Sequence, residues 1–449
     1  MKIEKRWVVS FVLIAIFAFA GLFWPQSVDV PNTNGFLSES NIVGADVAWI
    51  LSASGLVLLM TPGLSFFYGG MVGRKNIIST MLQSFIALGV ISIIWLAVGF
   101  SLSFGESWIS ITIDGERYGI LGNPLSYPFF SHVGALPHES MASTIPFVLF
   151  ALFQMKFAVI TPALITGSFA ERVRFVSYLL FMVLFSIIIY TPLCHMVWSS
   201  DGLLNKFFGV KDFAGGTVVH MSGGFAALAG AIVIGKRKKP HHEPSNIPFV
   251  LLGTGMLWFG WFGFNAGSAL SANATAALAF GTTTIATGSS MLTWIFFDRL
   301  NGRKVSALGA CIGAVVGLVA ITPACGFVTI PESIFIGFIS SIVSNLMVNW
   351  KRLKRIDDTL DVFACHGVGG IMGMIMTAIL AQGDNASLMH GGWGVFGHHM
   401  MALVLVSLFT FFGAMALFKL TDMIIPLRVT DESEELGLDL SQHDEKIIW

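Results

Sequence analysis

The sequence predicts an all-α integral membrane protein of eleven transmembrane helices, two inverted five-helix repeats followed by a C-terminal eleventh helix. Three observations predict it. Hydrophobic residues fill 55% of the 449 positions and charged residues only 11%, where soluble domains carry about 25% charged. Eleven apolar stretches approach the ~20 residues that a span needs. One pattern is written twice, at Asp212–Gly224 (DFAGGTVVHMSGG) and Asp358–Gly370 (DTLDVFACHGVGG), each running Asp, seven residues, His, two residues, Gly-Gly.

Taken in order, the chain begins with Lys2, Lys5 and Arg6 before an apolar run from Trp7 to Ala18, and Ala18-Phe19-Ala20 fits a small-x-small cleavage site. Residues 1–20 therefore read as a signal peptide, with an uncleaved first helix reaching Trp24 as the alternative. Residues 21–45 form an extracytoplasmic segment. The membrane domain covers 46–422, with spans expected at 46–69, 77–103, 141–166, 175–198, 214–234, 247–270, 275–298, 305–323, 331–350, 361–381 and 397–420. Its repeat halves cover about 46–234 and 247–381, and a tail follows at 423–449. The connecting loops set the orientation. Loops after odd-numbered spans hold fifteen basic residues, among them Arg74, Lys75, Arg172, Arg174, Arg237 and Lys238. Loops after even-numbered spans hold three, Arg117, Lys206 and Lys211. Basic loops stay in the cytoplasm, so the N-terminus lies outside and the tail inside, in a cell (inner) membrane.

Five spans per half force the second half to enter inverted. Asp212 then starts its helix at the outer face and Asp358 at the inner face. His220 and His366 each lie about eight residues, or ~12 Å, into their helices, so they should meet near the middle. Transporters of inverted repeats place their sites at such a midplane interface. A lone His in an apolar run reads as a core residue satisfied by a carbonyl. A pair at matching positions reads as a site, since ionisable groups at that depth face a bundle interior or a pathway. Both aspartates read as caps that fix the helices presenting the histidines, and Asp361 competes with Asp358 for that role.

Composition excludes several classes. A net charge of −1 gives no hint of nucleic-acid binding. No phosphate-cradling loop, nucleophile elbow or metal-ligand cluster is present, so the sequence points to no enzyme, no catalytic residue, no cofactor and no metal. The adjacent pairs His241-His242 and His398-His399 are poor ligand sets, since helix neighbours do not share a face. Cys194, Cys311, Cys325 and Cys365 show no ligand spacing and read as packing residues. The 48 glycines fit closely packed membrane helices. The outer loop 104–140 holds turn formers with His132 and His138.

Several motifs are specific: FYGGMVGRKN (67–76), ITPALITGSFAERVRF (160–175), CHMVWSS (194–200), DFAGGTVVH (212–220), GWFGFNAGSA (260–269), TPACGF (322–327) and DVFACHGVGG (361–370). Together they resemble the ammonium transporter family, Amt/Rh, on its Amt side, from about residue 46 to the tail. The resemblance implies a homotrimer with one pore per subunit, lined by His220 and His366. It matches Trp198, Phe157 and Ser268 to the outer recruitment site for the ammonium cation, and Asp212 to the aspartate a working site needs. Phe153 and Phe264 match aromatic positions at that mouth, with Phe157 and Phe264 as a gate. Through Leu427-Arg428-Val429 and Gly437-Leu438-Asp439…His443, the tail implies packing under the trimer and regulation by a PII-type protein. Asp444 departs there from the family's usual Gly, and the end reads Ile447-Ile448-Trp449.

The chemistry agrees. Ammonium is a tetrahedral cation with four donors and no acceptor. Aromatic faces attract it by about 0.5–2 kcal/mol each, Trp most strongly, and Ser268 adds an acceptor. A narrow apolar tube penalises a charge by at least ~2.5–3.5 kcal/mol, so the cation is expected to lose its proton and pass as ammonia along the histidines, with or without a proton. Without the motifs, Trp198 would read as an interface-belt residue and the phenylalanines as core. Lys156, directly before Phe157, departs from the family's small or apolar residue. It reads as a snorkelling lysine near the extracellular end, as the partner of Glu139, or as a modifier whose ammonium head occupies or repels the recruitment site. The last reading suits the alternative function, a receptor that binds ammonium with little or no transport. A gas or urea-type channel is disfavoured by the complete cation site.

Overall fold

The computed structural model describes residues 5–24, 35–240, 243–350, 355–384 and 386–447. Lys2, residues 25–34, His241-His242, Lys351, Arg352, Lys354 and Ile448-Trp449 lie outside the described residues. Helix α1 spans Lys5–Phe23, α2 Gly44–Met71 and α3 Arg74–Phe104. Strands β1 (Ser107–Ile113) and β2 (Glu116–Gly122) follow. Then come α4 (Phe147–Phe169), α5 (Phe175–Trp198), α6 (Gly216–Ile234) and α7 (Ile247–Gly267). Next are α8 (Ala274–Leu300), α9 (Ala307–Ile321), α10 (Ile330–Val348), α11 (Phe363–Leu380) and α12 (Trp393–Ile424), and the tail adds α13 (Asp431–Leu436) and α14 (Leu438–His443).

Among the described residues nine helices, α2–α7 and α10–α12, are long and apolar enough to cross a membrane. The other two expected spans depart in opposite ways. Helix α8 has 27 residues but a polar spine, whose hydroxyls turn inward: Thr282 Oγ1 donates to Cys325 O at 2.8 Å and Ser290 Oγ to Gly313 O at 2.6 Å. Helix α9 is apolar but has 15 residues, about 22 Å at 1.5 Å each, against a hydrocarbon core of ~30 Å. The third span starts at Phe147, later than expected. Main-chain bonds between His138 and Ala142 hold residues 138–142 in a tight turn, and Pro146 takes the cap position.

The stretch expected as an irregular outer loop contains an antiparallel hairpin, β1 on β2. Asp114 and Gly115, with φ of 50° and 83°, make its two-residue turn. An Asp-Gly step between alternating β-branched residues is a strong hairpin signal, and it was present in SWISITIDGERYGILG.

The molecule has two distinct ends. One carries the hairpin. At the other, the tail folds back on the basic loops. Asn76 Oδ1 accepts the Leu438 N–H at 2.8 Å, and Asp439 caps the start of the second span, accepting the Ile78 and Ser79 N–H groups at 3.1 and 2.8 Å. Asp444, where the family pattern has Gly, adopts a left-handed φ of 56°, a conformation Gly enters without strain. Beneath the tail lies a buried charge cluster. Arg237 grips Asp357 through Nε and Nη2, both at 2.8 Å, and reaches Glu171 through Nη1 at 2.8 Å. Glu171 accepts the Gly73 N–H at 2.6 Å, and Arg172 donates to the Asp357 carbonyl at 2.6 Å. Four loops far apart in sequence are tied together there.

Candidate functional site

Each half presents its histidine in the same way. Asp212 Oδ1 accepts the N–H groups of Gly215 and Gly216 at 2.8 and 2.7 Å, and Oδ2 accepts the Thr217 N–H at 2.7 Å and its hydroxyl at 2.5 Å. The carboxylate is thus spent on the start of α6, as a cap should be. Asp358 Oδ2 accepts the Phe363 N–H at 2.8 Å. Asp361 stands at the bend with φ of 54°, so Asp358 holds the capping bond. The turns that follow are wide π-helical turns, Gly216–Met221 and Phe363–Gly367, and each contains its histidine. Such turns are rare and gather at functional sites.

Asp212 lies toward the hairpin end and Asp358 toward the tail end, so the two helices enter from opposite ends and meet. Close approach is reciprocal. A Cβ on Gly224, four residues after His220, would run into the backbone of Gly367, and one on Gly370, four after His366, would press tightly on Gly216 O and Met221 at 3.0–3.1 Å. The second glycine of each His-x-x-Gly-Gly motif is there because the other half's backbone lies against it.

The histidine rings are 5.5 Å apart between centroids, with Nδ1 to Nδ1 at 3.4 Å. Both are buried, 1% and 3% exposed. One hydrogen serves that bond, so one ring is an Nδ1 donor and the other an Nδ1 acceptor. The Nε2 atoms are then of opposite kind, one a lone pair and one an N–H. His220 Nε2 has no hydrogen-bond partner among the described residues. Beside the pair lies a cavity of about 10 Å³ walled by Leu64, Ile160, Leu257, Trp261, Phe264 and Val315, roughly one water-sized molecule. Trp261 stacks on His220 at 5.3 Å and 19°, its indole N–H anchored on Thr322 Oγ1 at 2.8 Å.

Toward the hairpin end a second cavity of about 260 Å³ brings together Trp198, Phe157 and Ser268. Trp198 Nε1 donates to the Asp212 carbonyl at 3.2 Å, and the Ser268 hydroxyl donates to Phe264 O at 2.8 Å. The indole therefore offers its face and Ser268 its lone pairs. Phe157 stands edge-on to Trp198 at 5.8 Å and packs on Phe264 at 4.3 Å. Phe157 lines this cavity and Phe264 the inner one, so the ring pair is the wall between them. Phe153 packs behind Phe157 at 5.0 Å and lines neither.

Helix α4 begins at Phe147, so Lys156 lies nine residues, about 14 Å, into it, nearer the hairpin end than a span starting at residue 141 would put it. It forms no ion pair with Glu139 or any other described carboxylate, and it is half-buried. The residues of α4 that line the 260 Å³ cavity are Phe150, Gln154 and Phe157. His398 and His399 also part company. His399 Nε2 accepts the Lys211 N–H at 2.9 Å, steadying the approach to Asp212, while His398 packs on Phe207 and Phe208. Sequence reasoning gave no role to Trp261 or Gln154. Trp261 sits inside the GWFGFNAGSA motif and Gln154 two residues before Lys156, and only the fold turns them toward the cavities.

A family model described as Ammonium Transporter Family matches residues 48–447. An ammonium transporter from Aquifex aeolicus (strain VF5) is 41% identical over 416 residues, 92% of this chain and 95% of that protein. The crystal structure of Candida albicans Mep2 aligns with a TM-score of 0.80 at 31% identity, covering 88% of this chain and 89% of that one. A structure described as a sensor Amt protein aligns with a TM-score of 0.81 at 30% identity, covering 90% and 100%.

Proposed function

The chain belongs to the ammonium transporter family, and from that premise we propose that it recruits the ammonium cation at the hairpin end and conducts ammonia toward the tail end. The observation that carries this reading is the buried histidine pair, joined at 3.4 Å behind a phenylalanine wall. The cation rests between the Trp198 and Phe157 rings with a hydrogen on Ser268 Oγ, because only faces and lone pairs are on offer there. Phe157 and Phe264 must part for it to advance. The inner cavity has room for one small molecule and no countercharge, so the proton is left behind before the histidines. Ammonia, with three N–H groups and a lone pair, satisfies two Nε2 atoms of opposite kind. Whether that proton follows by the histidine relay sets the net charge moved.

The same reading takes α2–α12 as eleven spans in two inverted halves plus α12, with the basic tail end cytoplasmic, in the cell membrane. It takes residues 1–20 as a cleaved leader, the working unit as a homotrimer, and the tail with its neighbouring basic loops as the landing place of a PII-type regulator.

Solid-supported proteoliposomes given an ammonium jump test it. Saturable current or dye-reported uptake is the expected result, and silence in both assays overturns the reading. Trp198→Leu is expected to raise KM about 2- to 30-fold, the range of one lost cation–π contact of ~0.5–2 kcal/mol, with maximal rate little changed. Lys156→Met is expected to stay within about twofold of wild type, because Lys156 lines neither cavity and its charge serves only the half-buried flank of α4. A silent wild type with current restored in Lys156→Met would instead support the receptor alternative.

A further inference from the structure

Where the hairpin meets the end of α5, a polar cluster stands apart from the cavities already described. The Ser107 hydroxyl oxygen, at the first residue of β1, lies 2.7 Å from His195 Nε2 and 2.6 Å from Asp201 Oδ2. His195 Nδ1 lies 3.0 Å from the Ser103 carbonyl, and Asp201 Oδ1 accepts the Ser199 hydroxyl at 2.7 Å. Strand β2 closes on the same place: the Gly119 N–H donates to the Asp201 carbonyl at 2.8 Å. A Cβ on Gly119 would run into both the His195 ring and Ser107 Oγ, so only glycine lets the strand this near. His195 is fully buried.

Counting hydrogens shows what holds the cluster. A carbonyl only accepts, so Nδ1 of His195 carries a hydrogen. Ser107 owns one hydrogen and stands between two acceptors. Both of its bonds are filled only if the ring and the carboxyl together hold one proton more than a neutral imidazole and a carboxylate. With that proton shared along the row of ring, hydroxyl and carboxyl, the three make a charge-assisted clasp. The order differs from a nucleophilic triad, where the base stands between serine and acid.

Trp198 lies between the two grips, three residues after His195 and three before Asp201. Its ring is otherwise tethered by a single hydrogen bond, from the indole N–H to the Asp212 carbonyl. We propose that Ser107, His195 and Asp201 are positioning residues for Trp198, through which the hairpin sets the affinity for ammonium. The proposal rests on the cation-binding role given to Trp198 above.

The test is the ammonium dependence of transport in proteoliposomes. Ser107→Ala should raise KM several-fold, at most the roughly thirtyfold allowed by losing one aromatic face, while maximal rate per folded protein is held. Ser107→Thr keeps the hydroxyl and should restore the wild-type KM. Asp201→Asn should also keep it, because an amide N–H can donate to Ser107 Oγ and free the serine hydrogen for Nε2. Asp201→Ala breaks the clasp from the other side and serves if Ser107→Ala does not fold. An unchanged KM in the alanine variants, or a loss confined to maximal rate, overturns the proposal and leaves the cluster a structural tie. A wild type that moves no ammonium overturns the transport reading instead. The clasp is then read from ammonium binding by calorimetry, where Ser107→Ala must weaken binding by the same factor, and equal or absent binding in both proteins overturns it.

Discussion

Alanine at His366, and separately at His220, is expected to let potassium pass. In the wild type the inner cavity of about 10 Å³ admits one small molecule, and a cation there would have to shed its water. Removing an imidazole frees room for about two further waters at ~30 Å³ each, enough to start a hydrated file. The penalty for a charge at membrane depth, at least ~2.5–3.5 kcal/mol, is then largely relieved, so potassium current should rise by about 10- to 100-fold relative to ammonium-driven uptake. Concentration jumps of each ion on the same proteoliposomes measure it. Either variant should show the effect, since among the described residues each histidine is the other's Nδ1 partner. Unchanged selectivity in both variants would remove the paired-histidine filter from the mechanism.

The second large effect is on stability. Arg237→Ala is expected to cost about 3–5 kcal/mol, because it removes the guanidinium that faces the buried Asp357 and Glu171 carboxylates; those two side chains are only 8% and 6% exposed. The contrast is Lys238 with Asp431, an ion pair 37% and 66% exposed, where Lys238→Ala should cost less than about 1 kcal/mol. Unfolding in mixed detergent, followed by tryptophan fluorescence, compares them. Acid should act at the same place. Burial pushes the Asp357 carboxyl up, yet its hydrogen bonds from Arg237 and the nearby Arg172 charge bring it below its ordinary value of 3.8. A carboxylate whose folded value is depressed contributes stability above its unfolded value and loses it as pH falls through the folded one. The wild type should therefore weaken below about pH 4, and Asp357→Asn should lack that component.

Much of this protein is set by local pattern. Long apolar runs have few alternatives to helix in a bilayer, since every backbone group must be satisfied within the segment, so most helix positions follow from composition alone. The Asp…His…Gly-Gly repeat and the aromatic motifs point to the candidate residues that the fold brings together, because caps, rings and glycines are chemical requirements visible one residue at a time. The Asp114-Gly115 turn is equally local, an Asp-Gly step between strand-forming residues. Other features exist only between elements. The hydroxyls of Thr282 and Ser290 on α8 are satisfied by the carbonyls of Cys325 and Gly313, partners that exist only because α9 and the following turn lie beside it. The depth of Lys156 follows from where α4 starts, at Phe147 rather than near residue 141. Gly224 and Gly370 show their purpose only where two helices from opposite ends touch backbone to backbone. The sequence alone determined which residues can cap a helix or lie in lipid and which rings and hydroxyls suit a cation, because those are properties of single side chains and their spacing. Tertiary structure alone decided that the two histidines meet Nδ1 to Nδ1, that Phe157 and Phe264 pack between two cavities, and that Ser107 grips the chain on both sides of Trp198. Each of those depends on distances between residues dozens to hundreds of positions apart, which no local pattern records.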